Sequence, residues 1–549
     1  MKTKLNLTKG SIAGLLGLAA IAGFTPAEKP VAKQPNIIFI MSDDHAYQAI
    51  SAYGGPLAKL APTPNIDRIA RDGMIFNRCM VTNSICGPSR ATILSGKYSH
   101  VNGFIDNTAD AKFDFTQNTF AKELQKAGYR TAVIGKLHLG GVPTGFDYYD
   151  ILPGQGRYYN PQFINQQGQY EVEGYATEVI ADKTLKFLSE AKDSKQPFMV
   201  MMWQKAPHRN WEPGPNELGM YENTTFPEPE TLFDDYSGDR KAAALNNMTI
   251  ANTMTLDRDL KISDQPRAGL NKQQLQKWDS IYVPIYEKFK KDNPTGKDLV
   301  RFKYQRYMRD YLACVAAVDK SVGKVMDYLK ESGLDKNTIV IYTSDQGFYL
   351  GEHGWFDKRW MYKESLRTPL LISWPGVIKS GTVSNDMVSN LDFGETLIDA
   401  AGAKVPEDMQ GKSMLPILKG QTPSDWRNAF YYHYYEHPSE HNVMRHYGIT
   451  TDRYKLIHFY YDIDEWELYD LEKDPMEMKN VYNDPAYNEV KKDLHKQLDE
   501  LRVKYQDSDE LSKKFIDEYN EKVKKNPRIE YWKLSPKDMQ KLFTQPAAK

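Results

Sequence analysis

Apolar residues occur along this chain in short uninterrupted runs, with helix-like patterns between them. Five runs show no alternation of apolar and polar positions, which is typical of strands buried on both faces of a sheet. These runs are residues 36–41, 131–134, 197–203, 338–343 and 369–374. Because helical segments separate them, the sequence predicts an α/β fold with a large mixed, mostly parallel sheet sandwiched by helices.

Capping residues indicate where some of these helices begin and end. Thr63 followed by Pro64 predicts the start of a helix that Gly73 ends. A second helix is predicted over residues 118–126, and a long one over residues 303–330. We expect these helices to cover the two faces of the sheet.

The pattern changes near residue 420. Residues 431–436 and 447–461 are polar-aromatic and strand-like, and they predict a small antiparallel sheet. Apolar residues on one helical face follow: Leu494, Leu498, Leu501 and Tyr505. We therefore expect a signal peptide at residues 1–27, a large α/β domain at 35–420, a smaller C-terminal α+β subdomain at 421–510 and a charged tail at 511–549.

The first 27 residues have the composition of a secretory signal. Lysines at positions 2, 4 and 9 precede an apolar stretch over residues 11–24, and small residues follow at 25–27. The stretch is short for a membrane-spanning helix, and no later stretch approaches about 20 consecutive apolar residues. We expect an exported, periplasmic protein without a transmembrane segment. A buried N-terminal helix is the alternative interpretation.

Composition excludes several classes of function. The 71 Lys and Arg residues nearly balance the 72 Asp and Glu residues, which argues against a basic protein that binds nucleic acid. Three cysteines, Cys79, Cys86 and Cys314, cannot form a disulfide framework. The sequence contains no Cys-x-x-Cys pair, which argues against a structural zinc site. No glycine-rich phosphate-binding loop is present.

Polar side chains follow four of the predicted strands at the point where each strand ends. In order along the chain they are Asp43 and Asp44, Lys136 and His138, His208, and Asp345 and Gln346. Ligands of open α/β sheets bind outside the carboxyl ends of the strands. Any one of these residues has a structural explanation as a cap or a core residue, but their coincidence at four strand ends predicts a functional site.

Three of these residues are carboxylates and one is an amide. Oxygen ligands of this kind suit Ca²⁺ or Mg²⁺ rather than zinc. Asp43 and Asp44 are adjacent, and neighbours on an extended strand point to opposite faces. They can therefore converge on one ion only where the strand has ended and the chain has turned.

Residues 86–96 read Cys-Gly-Pro-Ser-Arg-Ala-Thr-Ile-Leu-Ser-Gly. This segment resembles the sulfatase signature, and residues 35–480 are similar to the formylglycine-dependent sulfatases of the alkaline phosphatase superfamily. The resemblance implies an alkaline-phosphatase-like fold and oxidation of Cys86 to formylglycine (3-oxoalanine) by a maturation enzyme. It further implies one Ca²⁺, held by Asp43, Asp44, Asp345, Gln346 and the modified Cys86.

The remaining site residues are carried over one at a time from the same resemblance. Arg90 would hold the formylglycine, and Lys358 would bind the sulfate. Lys136 and His138 match the Gly-Lys-x-His segment of the family, and His208 in Ala-Pro-His matches its leaving-group histidine. The implied reaction starts from a hydrated formylglycine and passes through a covalent sulfo-enzyme. His208 would protonate the sugar oxygen, and His138 would remove the proton from the diol.

The substrate follows from weaker similarities. Residues 210–213, 231–236, 357–362 and 467–475 look like those of N-acetylglucosamine-6-sulfatases, which act on 6-O-sulfated glucosamine of heparan-type or mucin-type glycans. Asp357 and Arg359, on either side of Lys358, are predicted to bind sugar hydroxyls, with His446 as a partner. A structural salt bridge is the alternative for the Asp–Arg pair.

Other functions of the same superfamily remain open at this point. Sulfatases of iduronate, galactose or N-acetylgalactosamine share the core residues. A phosphonate monoester or phosphodiester hydrolase could use the same formylglycine. A catalytically inactive sugar-binding relative would be expected to lose some of the polar positions, and all of them are present here.

If Cys86 is the precursor of the nucleophile, two measurements depend on it. The intact mass of the active mature protein should be lower than the mass calculated from its sequence by the difference between a thiol and an aldehyde. Cys86→Ala should lose sulfatase activity by orders of magnitude, because alanine cannot be converted to a nucleophile. Full activity of this variant would exclude Cys86 from the reaction. Cys314→Ala is the matched control and should keep both the mass shift and the activity.

Overall fold

The computed structural model describes residues 1, 3, 34–108, 111–194 and 196–525. The chain divides into two units, residues 1–33 and residues 34–549, and the second contains the elements below. Apart from residues 1 and 3, the predicted signal peptide lies outside the described residues, and so does the end of the predicted tail, residues 526–549. Within the described part of the chain, no helix is both long enough and apolar enough to cross a membrane.

The strands, numbered in chain order, include a long central set and a C-terminal set. The first ten are β1 Asn36–Ser42, β2 Met74–Phe76, β3 Cys79–Met80, β4 Arg130–Gly135, β5 Tyr148–Ile151, β6 Gln162–Asn165, β7 Gly168–Glu171, β8 Phe198–Gln204, β9 Thr338–Ser344 and β10 Tyr349–Leu350. The others are β11 Phe356–Asp357, β12 Arg367–Thr368, β13 Leu370–Ser373, β14 Thr382–Ser384, β15 Val388–Ser389, β16 Phe430–Tyr434, β17 His446–Thr450, β18 Tyr454–Phe459 and β19 Glu465–Asp470.

The helices are numbered in the same way. They are α1 Ile66–Asp72, α2 Cys86–Ser95, α3 Ser99–Asn102, α4 Phe120–Lys126, α5 Ala176–Ala191, α6 Lys241–Leu245, α7 Lys272–Asp292, α8 Gly296–Ser332, α9 Lys363–Leu366, α10 Asp392–Ala400, α11 Leu415–Leu418, α12 Asn488–Lys504 and α13 Asp509–Lys525.

The central sheet has ten strands in the order β14-β2-β13-β9-β1-β8-β4-β5-β6-β7. The five strands from β9 to β5 are parallel, whereas β13 and the edge strands β6 and β7 pair in the antiparallel direction. All five strands predicted from apolar runs are present, and the predicted mixed, mostly parallel sheet is confirmed. The antiparallel edge strands were not predicted, since they are short and partly polar.

The central strands are apolar on both faces, as the uninterrupted runs predicted. In β1, Ile38 and Ile40 pack into one core, which includes residues of α5 and α8. The alternate residues Ile37, Phe39 and Met41 pack into a second core with residues of α2, α4 and α10. Helices therefore cover both faces, and the charged side chains that follow β1, β4, β8 and β9 lie beyond the strand ends.

The first predicted helix begins later than the capping pattern indicated. Helix α1 starts at Ile66, and Thr63 donates to the Asp67 carboxylate rather than capping the helix. Asp319 of α8 accepts the backbone N–H groups of Asn65 and Ile66, each at 2.9 Å. A carboxylate from a distant helix thus satisfies the helix N-terminus, which no local pattern could indicate. The long helix α8 also begins earlier than predicted, at Gly296.

The C-terminal region contains the predicted small antiparallel sheet, in the order β16-β17-β18-β19. The segment 447–461, predicted as a single stretch, forms the two strands β17 and β18. Leu494 and Leu498 of α12 are buried against this sheet, as their spacing predicted. The boundary between a catalytic domain and a subdomain at residue 420 stays a prediction, because residues 34–549 form one unit by their contacts.

Candidate active site

The carboxylates at the ends of β1 and β9 converge. Ser42 pairs with Ser344 in parallel register, so Asp43 and Asp345 leave the sheet side by side. Asp44 has a φ of 62°, which shows that the chain turns immediately after the strand. Asp43, Asp44 and Asp345 are fully buried, and each places an oxygen within 4.8 Å of the others. The turn expected for convergence is therefore present.

These residues fit a hard divalent cation. Asp43 Oδ1, Asp44 Oδ2 and Gln346 Oε1 are buried and have no hydrogen-bond partner. Burial, together with the neighbouring carboxylates, raises the pKa of Asp44 to about 7 and that of Asp345 to about 6. An all-oxygen set with unsatisfied buried oxygens is what Ca²⁺ or Mg²⁺ requires. Gln346 Nε2 donates to Asp44 Oδ1 at 2.5 Å, which leaves its carbonyl oxygen for the ion.

Three basic side chains contact the same carboxylates. Arg90 Nη2 lies 2.9 Å from Asp345 Oδ2 and 3.5 Å from Asp43 Oδ1. Two further contacts complete the set: Lys136 Nζ contacts Asp43 Oδ2, and Lys358 Nζ lies 2.6 Å from Asp44 Oδ1. Burial raises the pKa of Asp43, but Lys136, His208 and Arg90 outweigh it and hold that pKa well below its usual value.

Cys86 is the first residue of α2, a helix whose ten residues are all buried. Its sulfur lies within 4.8 Å of an Asp43 oxygen and of a His208 ring nitrogen. Burial and the nearby Asp43 raise the pKa of the Cys86 thiol, so the unmodified side chain is protonated. A protonated thiol is a poor ligand for a hard cation. The predicted ligand role of Cys86 therefore depends on its conversion to an oxygen-bearing side chain.

Two histidines face this cluster. His208 Nδ1 lies 2.6 Å from the Arg209 carbonyl oxygen, so Nδ1 carries the ring proton and donates it to that oxygen. The other ring nitrogen, Nε2, lies 3.8 Å from Asp44 Oδ2. His138 is half-buried, and its Nδ1 has no partner. Burial and Lys136 lower the pKa of both histidines well below the usual value. Each is therefore neutral until an anion binds beside it.

Asp357 is the last residue of the two-residue strand β11, and Arg359 lies in the loop that follows it. Their φ angles are 83° and 91°, and Asp357 Oδ2 lies 2.8 Å from Arg359 Nη1. His441, from the loop between β16 and β17, places Nε2 2.7 Å from the same carboxylate oxygen. We call Asp357, Arg359 and His441 the sugar cluster, after the role that the sequence predicts for Asp357 and Arg359. Asp357 Oδ1, Arg359 Nε and His441 Nδ1 are buried without hydrogen-bond partners, although Lys358 Nζ lies 3.3 Å from Asp357 Oδ1.

His446 does not join this cluster. It is fully buried in β17, Met361 N–H donates to its Nε2 at 3.1 Å, and its Nδ1 lies 2.8 Å from the Met444 carbonyl oxygen. With both ring nitrogens bound to the backbone, His446 has no free atom for a sugar hydroxyl. The histidine expected from this segment is instead His441. No sequence signal separates the two, since both lie in one polar-aromatic stretch.

Two further residues near the carboxylate cluster were not predicted. Gln155 accepts from Lys136 Nζ at 2.5 Å. Lys205, directly after β8, is 4% exposed and donates to the Gln155 carbonyl at 3.1 Å. Lys205 precedes the Ala-Pro-His segment at the carboxyl end of a parallel strand, and that position is the signal that could have identified it.

Comparison with known proteins identifies two matching regions. Residues 35–403 match the sulfatase family, and residues 351–504 match the C-terminal region of N-sulphoglucosamine sulphohydrolase. A protein named N-acetylglucosamine-6-O-sulfatase from Bacteroides thetaiotaomicron is 49% identical over 523 residues, which cover 91% of this chain and 92% of that protein.

Solved structures show the same fold. One, described as a complex with its substrate D-glucosamine-2-N,6-O-disulfate, has a TM-score of 0.84 and 50% identity, covering 87% of this chain and 99% of that one. A phosphonate monoester hydrolase from Silicibacter pomeroyi has a TM-score of 0.66 and 21% identity, covering 86% of this chain and 96% of that one. At that identity the second likeness concerns the fold alone.

Binding of Ca²⁺ or Mg²⁺ to the metal-free protein should release protons, and the release should depend on pH. Burial raises the pKa of Asp44 to about 7 and that of Asp345 to about 6. In the metal-free protein each carboxyl therefore holds a proton below its own pKa. An ion needs the carboxylate forms, so we expect proton release at pH 6 and far less at pH 9. Titration calorimetry in two buffers of different ionisation enthalpy measures it.

A pair of variants controls for this prediction. Asp44→Asn should lower the affinity for the ion. The loss should exceed the about 10–100-fold that follows when a residue supporting a metal ligand is removed, because Asp44 is itself a proposed ligand. Asp319→Asn removes another buried aspartate of raised pKa, but one that binds backbone N–H groups of α1. It should keep the ion affinity and the proton release. Proton release that is the same at both pH values would contradict an ion among these carboxylates.

Proposed function

This chain belongs to the sulfatase family, and we propose that it removes the 6-O-sulfate of N-acetylglucosamine or glucosamine in sulfated glycans. The observation that carries the proposal is the position of Cys86, next to a buried carboxylate cluster and to His208. The named relative and the substrate-bound structure point to the 6-sulfated glucosamine ring. The alternative, phosphonate or phosphate ester hydrolysis, predicts faster turnover of phosphonate than of sulfate esters of one phenol.

The charge at the site suits a sulfate monoester. The ester is an anion, and its hydrolysis places further negative charge on the departing oxygen. Arg90, Lys136 and Lys358 lie in one buried cluster and can neutralise the sulfuryl oxygens where little water competes. When formed from Cys86, a hydrated formylglycine supplies one hydroxyl for attack on sulfur and a second whose deprotonation releases sulfate.

We propose Ca²⁺ as the ion, held by Asp43, Asp44, Asp345 and Gln346. The ligands are oxygen only, and Ca²⁺ accepts more such ligands and looser geometry than Mg²⁺ does. When bound, Ca²⁺ supplies positive charge that polarises the sulfuryl group. The proposal also includes export to the periplasm and a maturation enzyme that oxidises Cys86, as the apolar N-terminal stretch and the Cys-x-Pro-x-Arg segment suggest.

The two histidines are proposed to transfer protons. The Arg209 carbonyl orients the His208 ring, and Nε2 is the atom that can protonate the leaving sugar oxygen. The sulfate ester would raise the low pKa of His208 by placing negative charge beside it, so the acid forms when substrate binds. His138, neutral and with an unpartnered ring nitrogen, is suited to accept the proton of the diol.

The sugar cluster is proposed to recognise the hydroxyls of the glucosamine ring. A second Asp–Arg–His group in this chain shows what a purely structural one looks like. Asp234 pairs with Arg240 at 2.7 Å and with His353 at 3.0 Å, and none of the three is left with an unpartnered buried atom. The sugar cluster differs because each of its members keeps one. Those atoms are a carboxylate acceptor and nitrogen donors or acceptors for adjacent hydroxyls.

His208→Ala should affect substrates according to their leaving groups. A sugar alkoxide needs protonation as it departs, whereas an activated phenolate does not. We expect kcat for 6-sulfated N-acetylglucosamine to fall by about 10²–10⁴-fold, the usual range for a general acid, with a much smaller loss on an activated aryl sulfate. Equal losses on the two substrates would remove His208 from the acid role. His45→Ala, at a buried histidine bound to Tyr342, is the control and should show no such difference.

Asp357→Ala and Arg359→Ala should lower the hydrolysis of the sugar sulfate much more than that of an aryl sulfate. Each variant leaves buried polar partners and sugar hydroxyls unpaired, so kcat/KM for 6-sulfated N-acetylglucosamine should fall by about 10–100-fold or more. The aryl sulfate, which has no such hydroxyls, should lose far less. His441→Ala should behave in the same way, and His446→Ala should not.

The structural group provides the matched control for this experiment. Asp234→Ala removes a buried aspartate that also pairs with an arginine and a histidine. It should lower the thermal stability of the protein without changing the ratio of sugar to aryl sulfate turnover. If Asp357→Ala and Asp234→Ala gave the same pattern, the sugar cluster would be structural.

A further inference from the structure

A cavity of about 260 Å³ adjoins the active site on the side of His208. We call it the basic cavity, and the lining residues that matter here are Gln155, Arg157, Lys205, His208, Arg258 and Arg267. It is smaller than the ~300–1,000 Å³ of pockets for drug-sized ligands, which suits a single sugar residue. Because His208 is assigned to the leaving group, the cavity lies on the sugar side of the scissile bond rather than on the sulfuryl side.

Positive charge in the basic cavity is not balanced by the chain itself. Among its lining residues, all of them described, Glu212 is the one carboxylate, and it pairs with Arg267. Arg157 is exposed and has only a 3.7 Å contact with Glu171. Within the described residues, Arg258 and Lys205 have no ion pair to a carboxylate, although Lys205 is 4% exposed.

Lys205 is the unusual member of this group. Its ammonium donates to a carbonyl oxygen and lies 4.8 Å from the centre of the Tyr158 ring. The carboxylates of Asp43, Glu212 and Asp44 act on it only from beyond ion-pair distance. Burial, with Lys136 nearby, lowers the pKa of Lys205 to about 8. A buried ammonium is costly unless an anion is paired with it. The arrangement is therefore one that a bound anion would stabilise.

Arg209 connects the basic cavity with the sugar cluster. It lines the cavity, binds Asp259 with two nitrogens at 2.7 and 2.9 Å, and lies 2.7 Å from Glu440, the residue before His441. These contacts neutralise Arg209 and fix its side chain near both the basic cavity and the sugar cluster. A glucosamine ring that reaches the sugar cluster with its hydroxyls can thus direct its other substituents into the cavity.

We propose that the basic cavity binds a second oxyanion of the glycan, a carboxylate or sulfate group that lies beside the scissile 6-O-sulfate. This inference rests on the proposed function and narrows its substrate to glycans that carry negative charge next to the 6-sulfated glucosamine. The oxyanion has two possible sources. One is the sugar joined to the glucosamine, such as a uronic acid, and the other is a sulfate on the glucosamine nitrogen.

The test compares 6-sulfated substrates that differ only in the second anion. They are N-acetylglucosamine-6-sulfate alone, its N-sulfated counterpart, and disaccharides of N-acetylglucosamine-6-sulfate joined to either a uronic acid or a neutral hexose. The mature, full-length enzyme should have a kcat/KM at least about tenfold higher for one charged substrate than for its neutral match, as a charge-assisted contact provides. The charged substrate with this advantage identifies the source.

Variants at exposed positions of the basic cavity complete the test. Arg258→Gln and Arg157→Gln should each reduce the charged-to-neutral ratio of kcat/KM by about three- to tenfold, because one charged contact is lost. Arg301→Gln, at an exposed arginine of α8 that pairs with Glu228, is the matched control and should keep the wild-type ratio.

The outcomes are distinguishable. A ratio near one in the wild-type enzyme, or an unchanged ratio in both cavity variants, would overturn the second binding site while leaving the proposed function intact. If the wild-type enzyme turns over none of the 6-sulfated glucosamine substrates but hydrolyses another sulfate ester, the proposed function itself fails. A charged-to-neutral ratio that falls in the cavity variants and not in the control supports the inference.

Discussion

Three carboxylates, buried at the ends of two neighbouring strands, determine which charges the surrounding site must contain. Asp43, Asp44 and Asp345 have oxygens within 4.8 Å of one another, and like charges this close in a low-dielectric interior repel strongly. Burial and repulsion raise the pKa values of Asp44 and Asp345, so the cluster is incomplete without added positive charge. Three basic side chains supply part of it, and a divalent cation would supply the rest. A site built to balance buried negative charge is then also suited to neutralise a sulfate ester.

The parallel sheet makes this concentration of charge possible. Strand β1 lies between β8 and β9, and all three run in the same direction, so their carboxyl ends meet at one edge. Within the strands both faces are occupied mainly by the apolar cores, and the ionisable residues of the site follow the last paired positions. Gly347 lets the chain leave Gln346 close to the following segment, because a Cβ there would lie 2.2 Å from the Glu364 carbonyl oxygen.

A loop of the C-terminal sheet contributes to the same region. This loop, between β16 and β17, provides His441, which completes the sugar cluster beside Lys358. Glu440 in that loop contacts Arg209, and Arg209 in turn lines the basic cavity. The groups proposed for the sulfuryl oxygens, for the sugar hydroxyls and for a second anion are therefore linked by direct side-chain contacts. The residues proposed for sugar recognition come from the ends of loops and short strands, whereas the carboxylates follow the long central strands.

The sequence by itself determined the central strands and the strand-end residues, and it predicted Cys86 as the nucleophile precursor, because uninterrupted apolar runs and the Cys-Gly-Pro-Ser-Arg segment are local signals. Asp43, Asp44 and Asp345 could be placed together, since parallel strands end at one edge. Contacts between distant segments could not be read in this way. Only the tertiary structure selected His441 over His446, replaced a local cap of α1 by the Asp319 carboxylate, and brought Lys205 to a cavity with Arg258. Each of these depends on side chains far apart in the chain, whose meeting no periodicity records.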